Sequence, residues 1–385
     1  MPTRFSFPTR VVWGAGSIGK LAEEVRLAGG LKVLVVTDRG VIDAGIIDHV
    51  RRMLEEAQLA HSVFSEIHSN PIESDVWRGV AAFRELDADV IVGIGGGAPI
   101  DTARAIRLAV HHPQPLSRYD DAADGGRFVT GELPPLIAIP TTAGTGSEIS
   151  RSAVVLLDDT KRKTVLFSPR LMSTCAIVDP ELTTGLPAKP TAWTGMDAFT
   201  HCLEAYVSLG DHPLADALAI EGIRLASRAL PAVMKNGGDL SSRTEMMSAA
   251  MMGGIALTKG LGAAHAIAHA VGAVADVHHG LTNAVVLPAV CRFNEAQAHP
   301  RFARVAEAMG EDRKGRSDRE LADRACTRIE SLCREVGIPP KLSDVGVVPN
   351  MIPAIVEKAV EDASHRTNPR PFTADDCERI VRSLV

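Results

Sequence analysis

Apolar and polar positions along this chain change their period near its middle. Up to about residue 180, short β-branched runs alternate with stretches of helical spacing. Val33–Asp38, Asp89–Ile94 and Leu136–Pro140 are nearly unbroken apolar runs of strand length, the pattern of strands buried on both faces. Between the first two, Gly45–Gln58 and Glu73–Leu86 read as helices, and Ser69-Asn70-Pro71 follows a further strand. Ala153–Leu157 and Thr164–Ser168, separated by a turn containing Asp158-Asp159, predict a hairpin. Ala176–Val178, closed by Asp179-Pro180, predicts a last strand. Strand–helix alternation of this kind specifies a parallel sheet with helices on both faces.

Beyond Pro187 and Pro190 β-branched runs become scarce, and Ala, Met, Leu and Glu recur at helical spacing. Helices are predicted over Ala192–Val207, Pro213–Lys235, Ser241–Leu257, Thr282–Glu295, Asp318–Val336, Ile352–Ala363 and Ala374–Val385. The expected organisation is therefore an α/β domain over 1–184 followed by an all-α domain over 185–385. A chain of 385 residues is comfortable for two such domains.

Composition narrows the function classes. Net charge is −6 with no block of Lys or Arg, which argues against a nucleic-acid partner. No apolar run reaches the roughly 20 residues of a membrane span. The first residues, Met1–Phe5, lack the apolar core of a signal peptide. Six cysteines without a Cys-x-x-Cys pair read as buried thiols in a reducing cytoplasm. The chain is expected to be a soluble cytoplasmic protein acting on a small molecule.

Two glycine clusters compete for a phosphate role. Gly14-Ala15-Gly16-Ser17-Ile18-Gly19 has the spacing of a dinucleotide fingerprint, with Asp38 about 20 residues on. Gly95-Gly96-Gly97-Ala98-Pro99-Ile100-Asp101 follows a strand and opens a helix, where backbone N–H groups approach a diphosphate closely. Either also suits a plain strand-to-helix turn. Asp38 suits a ribose 2′-hydroxyl, which favours NAD over NADP, or equally a helix N-cap. Pro140-Thr141-Thr142-Ala143-Gly144-Thr145-Gly146-Ser147-Glu148 supplies a hydroxyl-rich loop after another strand.

The second half carries a dense run of histidines. Asp197 and His201 are spaced i, i+4, so a helix brings them to one face. His265 and His269 repeat the spacing, and His278-His279 precede Gly280. Histidine with carboxylate suits Fe²⁺, Zn²⁺, Mn²⁺, Co²⁺ or Ni²⁺.

Taken in order, these segments resemble the iron-containing alcohol dehydrogenase family. The resemblance runs from Val36-Thr37-Asp38 and Ser69-Asn70-Pro71 through Gly95-Gly96-Gly97-x-x-x-Asp101 and the Pro140–Glu148 loop. It continues in Gly195-Met196-Asp197-Ala198-x-x-His201, His265-x-x-x-His269 and His279-Gly280-x-x-Asn283-Ala284, and ends at Asn368-Pro369-Arg370. It implies a dehydroquinate-synthase-like fold, a Rossmann-like nucleotide domain joined to a helical metal-binding domain, with the reaction in the cleft between them. It also implies the residue roles. Asp197, His201, His265 and His279 would hold the metal, iron by resemblance, with Zn²⁺ or another divalent ion as alternatives. Asp38, Asn70, Gly95, Gly96, Gly97, Ala98, Asp101, Thr141, Thr142, Thr145 and Lys163 would hold NAD, and His269 would relay a proton.

Ala98 departs from the serine usual in the family. Lys259, in Lys259-Gly260-Leu261-Gly262, resembles the branch containing 4-hydroxybutyrate dehydrogenases, and it or Arg366 would hold an anionic substrate tail or else be a solvated cation. The implied reaction is reversible hydride transfer between NAD and a small primary alcohol or aldehyde, including ω-hydroxy acids such as 4-hydroxybutyrate. The implied assembly is a homodimer or larger homo-oligomer. Rival readings are a zinc polyol dehydrogenase, a metal-free maleylacetate reductase, a non-catalytic NADH-binding protein and a metal-storage module.

Overall fold

The computed structural model describes residues 9–113, 115–160 and 162–385. The stretch Met1–Phe5, read above for a signal peptide, lies outside the described residues. These residues divide into two compact units. One comprises residues 9–142 with Gly146–Gly185, and the other Ala143–Thr145 with Leu186–Val385.

The first unit is built on strands β1 (Arg10–Trp13), β2 (Lys32–Val36), β3 (Ala60–Phe64), β4 (Val90–Gly95) and β5 (Leu136–Pro140), an antiparallel hairpin β6 (Ser152–Leu156) and β7 (Lys163–Phe167), and β8 (Cys175–Val178). Six of these form one parallel sheet in the order β1-β8-β5-β4-β2-β3. Helices α1 (Leu21–Leu27), α2 (Arg39–Asp43), α3 (Ile46–Glu56), α4 (Glu73–Leu86) and α5 (Gly97–His111) complete it. The pleat turns Leu34 and Val36 toward α4 and α5, and Val33 and Val35 toward α1 and α3. All four are fully buried, each worth about 1.5–3 kcal/mol. Burial on both faces is why the strands read as continuous apolar runs rather than as alternating ones.

The chain leaves β2 toward β3 on one side, and leaves β4 toward β5 on the other. The order therefore reverses between adjacent β2 and β4, the place where open α/β sheets form a crevice at their carboxyl ends.

The second unit is helical: α6 (Ala188–Val207), α7 (Pro213–Lys235), α8 (Leu240–Ala256), α9 (Ala263–Ala275), α10 (His279–Asn294), α11 (His299–Ala308), α12 (Asp318–Glu335), α13 (Ile352–Glu361) and α14 (Ala374–Leu384). Three differences from the sequence pattern stand out. Helix α9 was not expected as a helix, because its composition is apolar all round and it has no polar stripe to set a period. Helix α10 starts at His279, three residues early, and α11 was not expected at all. Helix α6 is packed among α7, α8 and α10. A side chain at Gly280 would strike the carbonyl oxygen of Trp193 at 2.4 Å, so α10 and α6 meet backbone to backbone beside Asp197.

All six cysteines are buried free thiols. No helix among the described residues is long and apolar enough to cross a membrane.

Candidate functional site

In the helical unit, α6 places Asp197, His201 and Glu204 at i, i+4 and i+7, along one face. Helix α9 brings His265 to them, and the first turn of α10 brings His279. One donor atom from each of Asp197, His201, His265 and His279 lies within 4.8 Å of all the others. The rings of His201 and His265 are 4.6 Å apart, and those of His265 and His279 are 5.3 Å apart.

The donors are prepared for an ion. His201 Nδ1 and His265 Nε2 are buried and find no hydrogen-bond partner among the described residues, a state that costs about 1–3 kcal/mol unless something binds there. Burial, opposed by the Asp197 charge, pulls protonation of His201 down to about 4, so the ring is neutral with its lone pair available near pH 7. Around His265 burial also disfavours charge, but the Glu204 hydrogen bond and the Glu204 charge outweigh it and raise the ring's proton affinity. His265 donates from Nδ1 to Glu204 Oε2 at 2.6 Å, leaving Nε2 toward the other donors. Asn283, one turn after His279 on α10, donates to Asp197 Oδ1 at 2.8 Å and orients that carboxylate. Three imidazoles and one carboxylate gathered this closely are a donor set that fits a divalent first-row ion.

His269 stands outside this set. Its ring stacks on His279 at 5.0 Å, and its Nδ1 meets Asp362 Oδ2 at 2.8 Å. Burial works to raise the Asp362 carboxyl, but the His269 charge, with hydrogen bonds from His269 and Ser364, holds it well below the usual range. His278 is exposed, with its ring 5.1 Å from that of Trp193.

Lys259 is drawn into the fold. It was expected to offer a cation to a substrate tail. Its side chain is 1% exposed, and Nζ donates to Asp216 Oδ1 at 2.5 Å and to the Tyr206 carbonyl at 2.9 Å. Arg301 completes the cluster on Asp216 Oδ2 at 2.9 Å. The charge is neutralised within the fold. Arg366 is exposed, in the short 3-10 segment after α13.

In the α/β unit, Asp38 follows β2 and the three glycines end β4 and open α5, at the point where strand order reverses. Asp38 does cap α2, with Oδ1 accepting from Val41 N at 2.9 Å. Its Oδ2 faces Gly95, where a Cβ would lie 3.4 Å away. Gly95 has φ +146°, and a side chain there would strike the Pro99 ring at 2.6 Å. Thr141 N donates to Gly95 O at 2.9 Å, and the Thr142 hydroxyl stands 3.5 Å from where a Gly96 Cβ would be. Asp38, Gly95, Gly96, Gly97, Thr141 and Thr142 are thus brought to one end of the sheet. Ala98 lies in the first turn of α5, its carbonyl accepting from Thr102 Oγ1 at 2.8 Å. Asn70 lies in the loop after β3, and Lys163 opens β7. Thr145 falls in the short segment grouped with the helical unit.

Asp101 is tied to its own unit. Its Oδ1 accepts from the Ser147 hydroxyl at 2.5 Å and Arg104 Nη1 at 3.2 Å, and its Oδ2 accepts from Val154 N at 3.0 Å. Both oxygens face the protein and tie α5 to the Ser147 turn and the hairpin. In the rival cluster Gly14–Gly19, Asp179 Oδ2 accepts from Ile18 N at 3.0 Å.

Three residues of consequence went unassigned in the sequence. Glu204 sits three residues after a ligand on a helix already recognised, and that spacing was a usable signal. Asp362 is 93 residues from His269, and no local pattern links them. Arg104, fully buried, holds the Leu171, Ser147 and Ser152 carbonyls, and an arginine in a helical pattern looks like surface.

Comparison with known proteins agrees with this geometry. The family model for iron-containing alcohol dehydrogenase matches residues 8–180, and that for the C-terminal part of the Fe-containing alcohol dehydrogenase family matches residues 191–385. The chain is similar to an NAD-dependent methanol dehydrogenase of Bacillus methanolicus, 36% identical over 100% of both chains. It is similar to a 4-hydroxybutyrate dehydrogenase of Cupriavidus necator, 37% identical over 96% of both. A solved 1,3-propanediol oxidoreductase superposes with a TM-score of 0.95 at 37% identity, over 100% of each chain. The chain belongs to the iron-containing alcohol dehydrogenase family. It is accordingly an enzyme, an alcohol dehydrogenase with the dehydroquinate-synthase-like fold.

Proposed function

We propose that the enzyme interconverts a small, uncharged primary alcohol or diol and its aldehyde, with NAD as hydride carrier and a divalent metal held by Asp197, His201, His265 and His279. The observation that carries this reading is the convergence of four donors, two of them buried ring nitrogens with no hydrogen-bond partner among the described residues. When bound, such an ion supplies Lewis acidity toward a substrate oxygen, and the nicotinamide supplies the redox chemistry. Iron is the proposed ion, and the donor set also accepts Zn²⁺.

The chain's own residues do the rest. Asp38 accepts from the adenosine ribose, and its negative charge disfavours a 2′-phosphate. Gly95, Gly96 and Gly97 present backbone N–H groups to the diphosphate at the start of α5. Ala98, Thr141, Thr142 and Thr145 line the same cofactor, with Asn70 on its adenosine side and Lys163 near the nicotinamide ribose. His269, held by Asp362, accepts and releases a proton through Nε2.

An uncharged substrate is favoured over an ω-hydroxy acid because Lys259, the cation proposed for an acid's tail, already pairs with Asp216. The named relatives act on methanol, 4-hydroxybutyrate and 1,3-propanediol, which leaves substrate charge open between them. The test is absorbance at the NADH band with a panel of alcohols, diols, ω-hydroxy acids and matching aldehydes, after loading with Fe²⁺ or Zn²⁺. Turnover with succinic semialdehyde well above that with uncharged aldehydes overturns the substrate reading. Full turnover in a metal-free preparation overturns the metal reading.

A further inference from the structure

We infer that Glu204 is the positioning residue of the metal centre, and that the Gly260-Leu261-Gly262 turn exists to serve it. This rests on the metal reading above. The Glu204 side chain is 3% exposed. It accepts from four N–H groups: Gly262 N at 3.0 Å, Ala264 N at 2.7 Å, His265 N at 3.4 Å and His265 Nδ1 at 2.6 Å. Three of these are the open backbone donors at the start of α9, so one carboxylate both caps the helix and clamps the ring that the helix carries. With Nδ1–H committed to Glu204, Nε2 is the only ring nitrogen left, and it is the buried atom without a partner. The tautomer and the direction of the ring are therefore set from behind.

The turn before α9 fits this arrangement. A Cβ on Gly262 would lie 2.6 Å from Glu204 Oε1 and 2.9 Å from Asn368 Oδ1. Only glycine lets the carboxylate reach the backbone there. Asn368 Oδ1 in turn accepts from Ala263 N at 3.2 Å, the N–H that Glu204 leaves over. Gly260, with φ +140° and no room for a Cβ beside Thr367, turns the chain into this position. Gly260, Gly262 and Asn368, which the sequence showed inside motifs but with no role of their own, are thus the scaffold of one metal ligand.

The experiment is a Co²⁺ titration of the metal-free full chain, followed by cobalt absorption, with NADH affinity measured in parallel. Glu204→Gln keeps the size of the side chain and removes its charge. It is expected to weaken Co²⁺ binding by about 10- to 100-fold, with NADH affinity unchanged. A purely structural role would lower both affinities together and overturns the inference. So does a Glu204→Gln enzyme that binds Co²⁺ as tightly as the unaltered one. If the unaltered enzyme itself binds no Co²⁺, the metal reading fails, and the inference with it. Should Glu204→Gln not fold, Gly262→Ala decides, because its methyl displaces the same carboxylate. Loss confined to Co²⁺ supports the inference, and undiminished Co²⁺ affinity overturns it.

Discussion

His269 and Asp362 meet through Nδ1 and Oδ2 at 2.8 Å, joining α9 to the turn that follows α13. The carboxylate fixes which ring nitrogen carries the proton and leaves Nε2 as the exchanging position. Asp362→Asn keeps the shape and removes that control. It is expected to lower kcat by about 10- to 100-fold, at the scale of outer partners of catalytic histidines, with metal content unchanged. Metal analysis with steady-state kinetics checks this, and an unaltered kcat removes His269 from proton transfer.

His265→Ala removes a donor rather than its support. Metal binding is expected to fall by more than the about 100-fold at the upper end for an outer partner, and most turnover should go with it. NADH affinity should survive, because the residues proposed for the nucleotide, Thr145 apart, lie in the other unit. Elemental analysis of the purified variant, beside NADH titration, separates these. A variant that keeps both its metal and its turnover contradicts the ligand set.

How far the sequence disclosed this site follows from how local each signal is. Asp197 and His201 are four residues apart on one helix, and the run Val33–Val36 is apolar without a break. Both patterns depend on a few neighbouring positions and were readable. Gly14–Gly19 matched a fingerprint by spacing, yet its helix start is filled by Asp179, 161 residues away from Ile18. The partner of Lys259 was hidden for the same reason, since Asp216 is 43 residues distant. A charge looks available in a sequence until the fold reveals its counter-ion.

Lys259→Ala therefore tests stability more than specificity. Removing one member of a buried pair costs about 3–5 kcal/mol when the other charge is left alone. Arg301 remains on Asp216, so the loss should be a fraction of that. A lower Tm with the same preference between succinic semialdehyde and uncharged aldehydes is expected. A selective loss of activity on the charged substrate restores the anionic-tail role.

Asp38→Ser separates cap from cofactor. Serine still accepts from Val41 N, so α2 keeps its N-cap, worth about 1 kcal/mol. The negative charge facing a 2′-phosphate is gone. The ratio of kcat/KM with NADPH to that with NADH is expected to rise, with Tm nearly unchanged. A constant ratio confines Asp38 to capping.

Glu148 makes stability depend on pH. Burial raises its carboxyl from 4.5 to about 7, against the smaller opposing effects of its own backbone N–H and the Arg104 charge. Between those values the folded chain keeps a proton that the unfolded chain has released. Its contribution is therefore full below pH 4.5 and is lost as pH rises through about 7. At about 1.4 kcal/mol per pH unit the loss is on the order of 3 kcal/mol. Glu148→Gln stays neutral throughout, so its Tm should match that of the unaltered enzyme at pH 4 and exceed it at pH 8. Parallel Tm-against-pH curves for the two proteins would show that Glu148 is ionised in the fold and stabilised by Arg104 instead.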